Sequence, residues 1–364
     1  MRFREVLRIP IFAVVLPALL ACEAQTAVGQ TKGAQTWTVT NDVAIEHKTI
    51  TFVSRGARLT GTLYYASGAR HRPAVVVLHG ASSPSSNLPL YRHIEEMLPP
   101  LGINVFVFDR RGSGTSEGGG DDSYNFDILA DDGRAAARAL ASDAHVDASR
   151  IGYWGISQGG WLALLAASKD DKAAFAIAVS APMTTPDVQM NFAVANILRI
   201  HGYSDSVIEQ AVNARKKVDD YLRGQVDGTI AQKALDAVRR QPWFPLIYMD
   251  DKLEVPEESS WLKQMQFDPM PILADVRAPI LFVYGQVDPW IPVELSRERL
   301  KSLAEKHTNI EIRIVDGSDH TMMQGVDPKN QIDPKFFPSE APDSPAYFAL
   351  LGAWFAQHGF TNIK

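Results

Sequence analysis

Two serines of the chain stand between glycines in the pattern Gly-x-Ser-x-Gly. Ser157 lies in GYWGISQGGW, residues 152–161, and Ser116 lies in GTSEG, residues 114–118. A serine hydroxyl is a weak nucleophile unless a neighbouring base takes its proton, and glycines let the backbone turn sharply enough to expose it. The pattern therefore indicates nucleophilic catalysis, but the elements around each serine must decide between the two.

Ser157 stands at the junction of two apolar runs. RIGYWG at 150–155 predicts a buried strand, and GGWLALLAAS at 159–168 predicts a helix, so Ser157 occupies a strand-to-helix turn. Ser116 lies inside a glycine-rich loop and is followed by GGGDD, which cannot begin a helix. We therefore predict Ser157 as the nucleophile and interpret Ser116 as a loop residue.

A base and an acid that could serve Ser157 follow it along the chain. Asp288 comes after the strand ILFVYG, and His320 comes after the strand IEIRIVDG. The carboxyl ends of parallel strands share one edge of a sheet, so we expect the three side chains at one site. His320 would take the serine proton and pass it to the leaving group, and Asp288 would hold the imidazole. Asp316 and Asp319 are the alternative acids, although their closeness to His320 in sequence makes its far ring nitrogen hard to reach.

Two backbone N–H groups are needed to stabilise the oxyanion of such a reaction. Gln158, directly after the nucleophile, is predicted to supply one of them. Ala81, in the loop after the apolar run AVVVLHG, is predicted to supply the other. We interpret His79, at the end of that run, as support for this loop rather than as a base.

The segments that must position these residues alternate between strands and helices. A hairpin of ITFVS and LTGTLYY comes first. Six further strands that alternate with helical segments follow, predicted at 74–80, 104–109, 150–155, 175–181, 279–288 and 310–317. This order predicts an α/β fold with a mostly parallel, doubly wound sheet. Residues 183–270 contain helical stretches without a convincing strand, which predicts a helical cap insertion between strands 6 and 7.

The motifs LHGAS, DRRGSGTSEGG, GYWGISQGGW, YGQVDPWIP and GSDH together resemble the α/β-hydrolase superfamily. The resemblance is closest to bacterial carboxylesterases and to the serine-aminopeptidase-like and dienelactone-hydrolase-like hydrolases. Dienelactone hydrolases use a cysteine nucleophile, where this chain has Ser157. In this family the loop that holds Asp109 and Arg110 lies near the mouth of the active site. We interpret both residues as structural, with contact to the substrate as the less favoured alternative.

The resemblance implies a serine hydrolase that cleaves carboxylic esters through an acyl-enzyme, without a metal or another cofactor. Three alternatives stay open: an aminopeptidase-like or other amidase, an acyltransferase, and a non-catalytic binding lipoprotein on the same fold. The resemblance also implies that the cap shapes a substrate pocket. Five large side chains of the cap could line this pocket or simply pack: Trp243, Phe244, Tyr248, Met249 and Trp261. Glu257 and Glu258 could hold a substrate amine or lie on solvated surface.

Composition and net charge limit the classes of molecule that this protein is expected to bind. The chain of 364 residues is 46% hydrophobic and 21% charged, which is typical of a globular protein with a sizeable core. A net charge of -6 and the lack of a basic run argue against a nucleic-acid partner. The family resemblance implies a small-molecule ester or amide as the partner instead. The acidic pairs Asp121-Asp122, Asp131-Asp132 and Asp250-Asp251 lack the spacing of metal ligands and are interpreted as solvated surface.

The N-terminus predicts export. Residues 1–21 combine three arginines with an apolar run that is too short to span a bilayer, which indicates a signal peptide. Cys22, the single cysteine, follows Leu-Leu-Ala and resembles the lipidated cysteine of bacterial lipoproteins. We therefore expect membrane anchoring through lipid on Cys22. Glu23 favours the outer membrane, and a soluble periplasmic or secreted protein is the alternative.

The predicted domain organisation follows from these segments. Residues 22–45 are small and polar and suit a flexible tether. The hydrolase core is expected in two parts, 46–182 and 271–364, with the cap at 183–270 between them.

Overall fold

The computed structural model describes residues 43–81, 84–332 and 344–361. The predicted signal peptide, Cys22 and almost all of the predicted tether lie outside the described residues, so these features stay predictions. Within the described ranges, no helix combines the length and the apolar character that a membrane crossing requires.

In the described ranges, one sheet of eight strands forms the centre of the fold, in the order β1-β2-β4-β3-β5-β6-β7-β8. The strands span Ile45–Ser54 (β1), Ala57–Ala66 (β2), Arg72–Leu78 (β3), Asn104–Phe108 (β4), Val146–Ile156 (β5), Ala176–Val179 (β6), Ile280–Gly285 (β7) and Ile310–Val315 (β8). In the part of the sheet that runs β4-β3-β5-β6-β7-β8, neighbouring strands are parallel. Strand β2 pairs antiparallel with β1 and with β4. The predicted mostly parallel sheet is confirmed.

The hairpin of β1 and β2 turns through two residues. Arg55 has a φ of 47° and Gly56 a φ of 81°. Two consecutive left-handed residues make the turn whose twist matches that of paired antiparallel strands. The hairpin adds β2 to the edge of β4, and the parallel part of the sheet begins from there.

Ten helices lie within the described residues. They span Pro89–Met97 (α1), Phe126–Leu140 (α2), Gln158–Ser168 (α3), Pro186–Ile200 (α4), Asp205–Leu222 (α5), Gly228–Val238 (α6), Ser260–Met265 (α7), Val293–Ala304 (α8), Pro328–Gln331 (α9) and Pro345–Gln357 (α10). Successive residues of β3 face opposite sides of the sheet. Val76 packs in a core cluster with residues of α2, α3 and α8, whereas Val75 packs in another with residues of α1 and α10. Helices therefore cover both faces, as the doubly wound fold requires.

Helices α4 to α7 lie between β6 and β7 and form the predicted cap insertion. The cap has a core of its own, made of Val194, Leu198, Ile208, Ala211, Ala214, Val238, Trp243 and Ile247. Two side-chain amides of α4 tie it to the loop after β7. Gln189 donates to the carbonyl of Trp290 at 2.8 Å, and Asn196 donates to that of Pro289 at 3.0 Å.

Two predictions need correction. Strand β6 is shorter than the predicted 175–181, because Ser180 has a φ of 46° and so leaves the extended conformation. Asp132 is not on solvated surface, since it is only 1% exposed. Its carboxylate accepts hydrogen bonds from Arg111 Nη2 at 2.6 Å and Nε at 2.8 Å, and this pairing stabilises the buried charge.

Candidate active site

Ser157 occupies a strained turn between β5 and α3. Its φ of 57° and ψ of -124° fall outside the regions that most residues adopt. The amide N–H of Ser157 still donates to the carbonyl of Val179 in the neighbouring strand at 2.8 Å. Ser157 is partly exposed, whereas the residues on either side of it are buried. The turn thus presents the serine side chain at the carboxyl edge of the sheet.

The glycines of the turn are required by close backbone packing. A Cβ atom at Gly155 would lie 2.0 Å from the carbonyl oxygen of Gly159. A Cβ atom at Gly159 would lie 2.2 Å from the carbonyl oxygen of Leu78, the last residue of β3. The start of α3 is therefore in direct contact with the end of β3, where the loop that contains Ala81 begins.

Asp288 and His320 meet at the same edge of the sheet. His320 Nδ1 and Asp288 Oδ2 are 2.7 Å apart, and the Asp288 side chain is fully buried. The other carboxylate oxygen, Asp288 Oδ1, accepts from the backbone N–H groups of Trp290 at 2.8 Å and Ile291 at 3.2 Å. A carboxylate fixed in this way favours the imidazole tautomer with the proton on Nδ1, which leaves Nε2 as a proton acceptor.

The electrostatic balance at His320 follows from its surroundings. Burial lowers the pKa of the imidazole, but the charge and the hydrogen bond of Asp288, with a smaller contribution from Asp319, outweigh it and raise the pKa above its ordinary value. A base with such a pKa can take a proton from a serine hydroxyl near neutral pH.

The competing acids and the competing serine have other partners. Asp319 Oδ1 accepts from the N–H groups of Thr321 and Met323, at 2.8 Å and 2.9 Å, and so closes its own turn. Asp316 is exposed. Ser116 is buried, and its hydroxyl donates to the carbonyl of Asp109 at 2.7 Å. These contacts make Asp319 and Ser116 structural.

The residues predicted for the oxyanion hole lie at the start of α3 and in the loop after β3, the two segments that are in contact. Gln158 is the first residue of α3, and Ala81 lies three residues beyond the end of β3. The first N–H groups of a helix have no acceptor within the helix, so the N–H of Gln158 is suited to an anion. His79 is buried, and burial, with the neighbouring Arg110 charge, lowers its pKa to about 3 despite opposing contributions. A neutral His79 fits a supporting role.

Arg110 makes contacts that its sequence motif does not indicate. This residue is 7% exposed, and its Nη2 atom donates to the carbonyls of His79 and Gly80 and to the side chain of Gln158. The Gln158 side chain in turn lies 3.5 Å from that of Gln264 in the cap helix α7. The motif DRRG marked the loop as a family feature, but no local pattern indicates partners so distant in sequence.

The five large side chains predicted for the cap pocket separate into two groups. Tyr248, Met249 and Trp261 line a cavity of the cap together with apolar residues of α4, α5 and α6. Trp243 and Phe244 do not line this cavity and pack with the cap core, which Tyr248 and Met249 also contact. The acidic pair Glu257 and Glu258 is exposed. Among the residues that the structure describes, no group of three or more His, Cys, Asp or Glu is arranged to hold a metal ion.

Residues 69–327 match the family model Hydrolase_4, described as serine aminopeptidase, S33. An uncharacterised protein of Mycobacterium tuberculosis is 23% identical over 273 residues, which cover 74% of this chain and 72% of that protein.

Two solved structures share the fold. The Pyrococcus furiosus esterase Pf2001 superposes with a TM-score of 0.53 at 16% identity and covers 90% of this chain and 99% of its own. The Pyrococcus horikoshii acylaminoacyl peptidase superposes with a TM-score of 0.50 at 16% identity and covers 86% of this chain and 41% of its own. The family match spans more than half of the 364 residues, and the chain therefore belongs to the serine aminopeptidase S33 family of α/β-hydrolases.

Proposed function

We propose that the protein hydrolyses carboxylic esters through an acyl-enzyme on Ser157. The observation that carries the proposal is the hydrogen bond between His320 Nδ1 and Asp288 Oδ2, 2.7 Å long, at the sheet edge where the strained turn exposes Ser157. A nucleophile after β5, an orienting acid after β7 and a base after β8, all at one edge of the sheet, are the arrangement that acyl transfer requires.

Acylation begins when Ser157 Oγ bonds to the carbonyl carbon of the ester while His320 Nε2 takes the hydroxyl proton. The carbonyl oxygen becomes an oxyanion, which the N–H groups of Gln158 and Ala81 stabilise. The tetrahedral intermediate then breaks its bond to the alcohol oxygen. His320 returns the proton to that oxygen, and the alcohol leaves while the acyl group stays on Ser157.

Deacylation repeats these steps with water as the nucleophile. His320 takes a proton from water as its oxygen bonds to the acyl carbon, and the bond to Ser157 Oγ then breaks. The proton passes to Oγ, the carboxylic acid leaves, and the free serine is restored. Asp288 keeps its proton-accepting hydrogen bond throughout and stabilises the imidazolium that forms twice in each cycle.

The cap cavity is proposed to hold the acyl group. Trp261, which lines the cavity, and Gln264, which contacts Gln158, are three residues apart on α7 and so lie on one face of that helix. The lining of the cavity contains none of Ser157, Gln158 and His320, so its proposed link to the site runs through the contact of Gln264 with Gln158. Apolar side chains of Met190, Val218, Leu222 and Leu235 in its lining suit an aliphatic or aromatic acyl chain. The same cavity is also lined by charged residue types, namely Arg215, Asp219, Asp250, Lys252 and Glu254.

Hydrolysis of amides is the second candidate. The description of the family as serine aminopeptidases and the fold shared with an acylaminoacyl peptidase favour it. The chemical steps are the same, except that the leaving group is an amine, which must accept the proton from His320 before the bond breaks.

The test compares purified wild type with Ser157→Ala on p-nitrophenyl acetate and butyrate and on aminoacyl naphthylamides. We expect ester hydrolysis by the wild type and a loss of about 10³-fold or more in the variant. Faster turnover of the naphthylamides would favour the amidase. Equal rates for wild type and Ser157→Ala would reject both, and Ser116→Ala is the matched control that should keep the wild-type rate.

For localisation, we propose an envelope protein anchored through lipid on Cys22, which rests on the sequence pattern of residues 1–22. Incorporation of labelled palmitate into the wild type, and its loss in Cys22→Ser, is the expected result. Equal labelling of both would contradict an anchor on Cys22, and a lack of label in both would leave the soluble, exported protein as the alternative.

A further inference from the structure

Arg110 is a buried cation whose hydrogen-bond partners are neutral. Its Nη2 atom donates to the carbonyl oxygens of His79 at 2.8 Å and Gly80 at 3.2 Å, and to Gln158 Oε1 at 2.9 Å. Burial lowers the pKa of Arg110 to about 10, so the guanidinium stays charged at neutral pH. The neighbouring Arg111 differs, because its guanidinium pairs with the buried carboxylate of Asp132.

The contact with Gly80 fixes the direction of a specific N–H group. The carbonyl of Gly80 and the amide of Ala81 belong to one planar, trans peptide unit, so the N–H of Ala81 points away from the carbonyl. Holding the Gly80 oxygen therefore sets where the Ala81 N–H is aimed. A charged donor on that oxygen also polarises the peptide and makes its N–H a stronger donor.

Asp109 and Arg110 together hold the far end of the loop after β3. The backbone N–H of Arg110 donates to the carbonyl of Pro84 at 2.8 Å. Asp109 Oδ1 accepts from the N–H of Ser86 and from its hydroxyl, both at 2.8 Å. Asp109 and Arg110, at the end of β4, thus hold the loop after β3 on both sides of Ala81.

The contact with Gln158 joins this loop to the second donor of the oxyanion hole. Gln158 carries that donor on its backbone and accepts from Arg110 with its side chain. One guanidinium nitrogen therefore fixes both segments on which the predicted donors lie.

We propose that Arg110 is the positioning residue of the oxyanion hole, which aligns the N–H groups of Ala81 and Gln158 on one substrate oxygen and adds its positive charge behind them. This inference rests on the proposed function, because the oxyanion forms only if Ser157 attacks a carbonyl. It predicts that Arg110 acts on the transition state more than on substrate binding.

The experiment measures kcat and KM for p-nitrophenyl butyrate, and the Ki of butylboronic acid, for Arg110→Lys and Arg110→Gln. The boronic acid forms a tetrahedral anion on the serine and so reports on the oxyanion hole. We expect kcat to fall by about 10- to 100-fold with KM within about threefold of wild type, and Ki to rise in parallel. Complete loss of one donor costs about 10²- to 10³-fold in kcat, and a misaligned donor should cost less. The lysine variant keeps the charge and should lose less than the glutamine variant.

The matched control is Arg111→Lys, a buried arginine of the same loop that contacts Asp132 instead. Its melting temperature should fall, while kcat stays within about twofold of wild type. Wild-type kcat in both Arg110 variants would overturn the proposal. The proposal would also be overturned if Arg111→Lys lost as much kcat as the Arg110 variants at an equal loss of melting temperature. The loss of kcat would then follow from a general structural effect.

A second variant keeps the proposal testable if the Arg110 variants do not fold. Gln158→Met removes the side-chain acceptor of Arg110 but keeps the backbone N–H, and we expect a fall in kcat of about threefold or more with an unchanged KM. An unchanged kcat would contradict the proposal. Where all variants fold, the fold-loss of kcat in the double variant Arg110→Lys/Gln158→Met should be smaller than the product of the fold-losses in the single variants. The reason is that each single variant already breaks the same contact between Arg110 and Gln158.

The proposed function can fail separately from this inference. A wild-type protein that turns over no ester or amide and does not react with a fluorophosphonate would reject the proposed function. An active wild type with Arg110 variants of equal kcat would reject only the role of Arg110.

Discussion

The carbonyl oxygen of Asp319 fills the space that a side chain at residue 285 would need, since a Cβ atom built on Gly285 would lie 2.1 Å from it. Gly285 ends β7, and Asp319 directly precedes His320. The loops that follow β7 and β8 are also joined by the N–H of Val287, which donates to the carbonyl of Ser318 at 3.0 Å. The Asp288 and His320 loops therefore approach each other only because residue 285 lacks a side chain.

Gly285→Ala should push the His320 loop away from Asp288. We expect a destabilisation of about 1–3 kcal/mol from overpacking and a fall in kcat/KM of at least about tenfold. The control is Gly352→Ala in α10, where the nearest atom to a new Cβ is 3.7 Å away. That variant should be stabilised by about 0.5–1 kcal/mol and keep wild-type activity. Ester hydrolysis and urea unfolding measure both, and a fully active Gly285→Ala would contradict this role.

The acid limb of the pH–rate profile should report the protonation of His320. Because its pKa is raised above the ordinary value and the base must be neutral, kcat/KM should fall as the pH drops through a midpoint above 6.5. Asp288→Asn removes the interactions that raise this pKa, so the midpoint should move to lower pH and kcat should fall by about 10²- to 10⁴-fold. Asp316→Asn, a change at an exposed acid of the same loop, should leave the midpoint in place. A midpoint unmoved by Asp288→Asn would mean that another group controls the limb.

The pair of Arg111 and Asp132 should matter for stability. Each side chain is 1% exposed, and burial already raises the pKa of Asp132 even though Arg111 opposes the shift. Arg111→Met leaves a buried carboxylate unpaired, and we expect a loss of about 3–5 kcal/mol in urea unfolding at pH 7. Removing both charges with Arg111→Met/Asp132→Leu should recover most of the free energy of unfolding that Arg111→Met loses. Arg297→Met, which breaks an exposed pair with Glu294, should cost at most about 0.5 kcal/mol. An Arg111→Met loss as small as that control would refute a stabilising pair.

Trp261→Ala should enlarge the cap cavity and change acyl-chain selectivity. The indole lines the cavity, and its Nε1 donates to Asp219 at 2.8 Å. With p-nitrophenyl esters of two to twelve carbons, we expect the optimum of kcat/KM to move toward longer chains, as one methylene changes pocket binding by about 1–3 kcal/mol. Leu198→Ala in the cap core is the control and should destabilise by about 2–5 kcal/mol without moving the optimum. Identical chain-length profiles would place the acyl group elsewhere.

Much of the architecture could be predicted from the chain because the relevant patterns are local. Continuous apolar runs mark strands buried on both faces, and the turn residues Arg55 and Gly56 mark the hairpin. The rule that parallel strands share a carboxyl edge then relates Ser157, Asp288 and His320 without any knowledge of distances. The shorter β6 could not be predicted, because the left-handed Ser180 is not encoded by its own residue type.

The contacts that hold the site in shape could not be predicted, because they join distant parts of the chain. Arg110 contacts residues 31 and 48 positions away, and the motif around it gives no indication of these partners. Asp132 follows another aspartate and therefore resembles exposed surface, whereas the pairing with Arg111 depends on where α2 packs. The separation of Trp261 from Trp243 likewise depends on the arrangement of the cap helices, since both are large and apolar.

Helix α3 is buried on almost every side, with ten of its eleven residues in the interior. An amide at such a helix exchanges with solvent deuterium only when the surrounding domain opens, because no smaller motion uncovers it. The strained conformation of Ser157 is therefore tied to the most cooperative part of the molecule. Heat should inactivate the protein at the temperature at which the whole domain unfolds, and no earlier, inactive but folded state is expected from this helix.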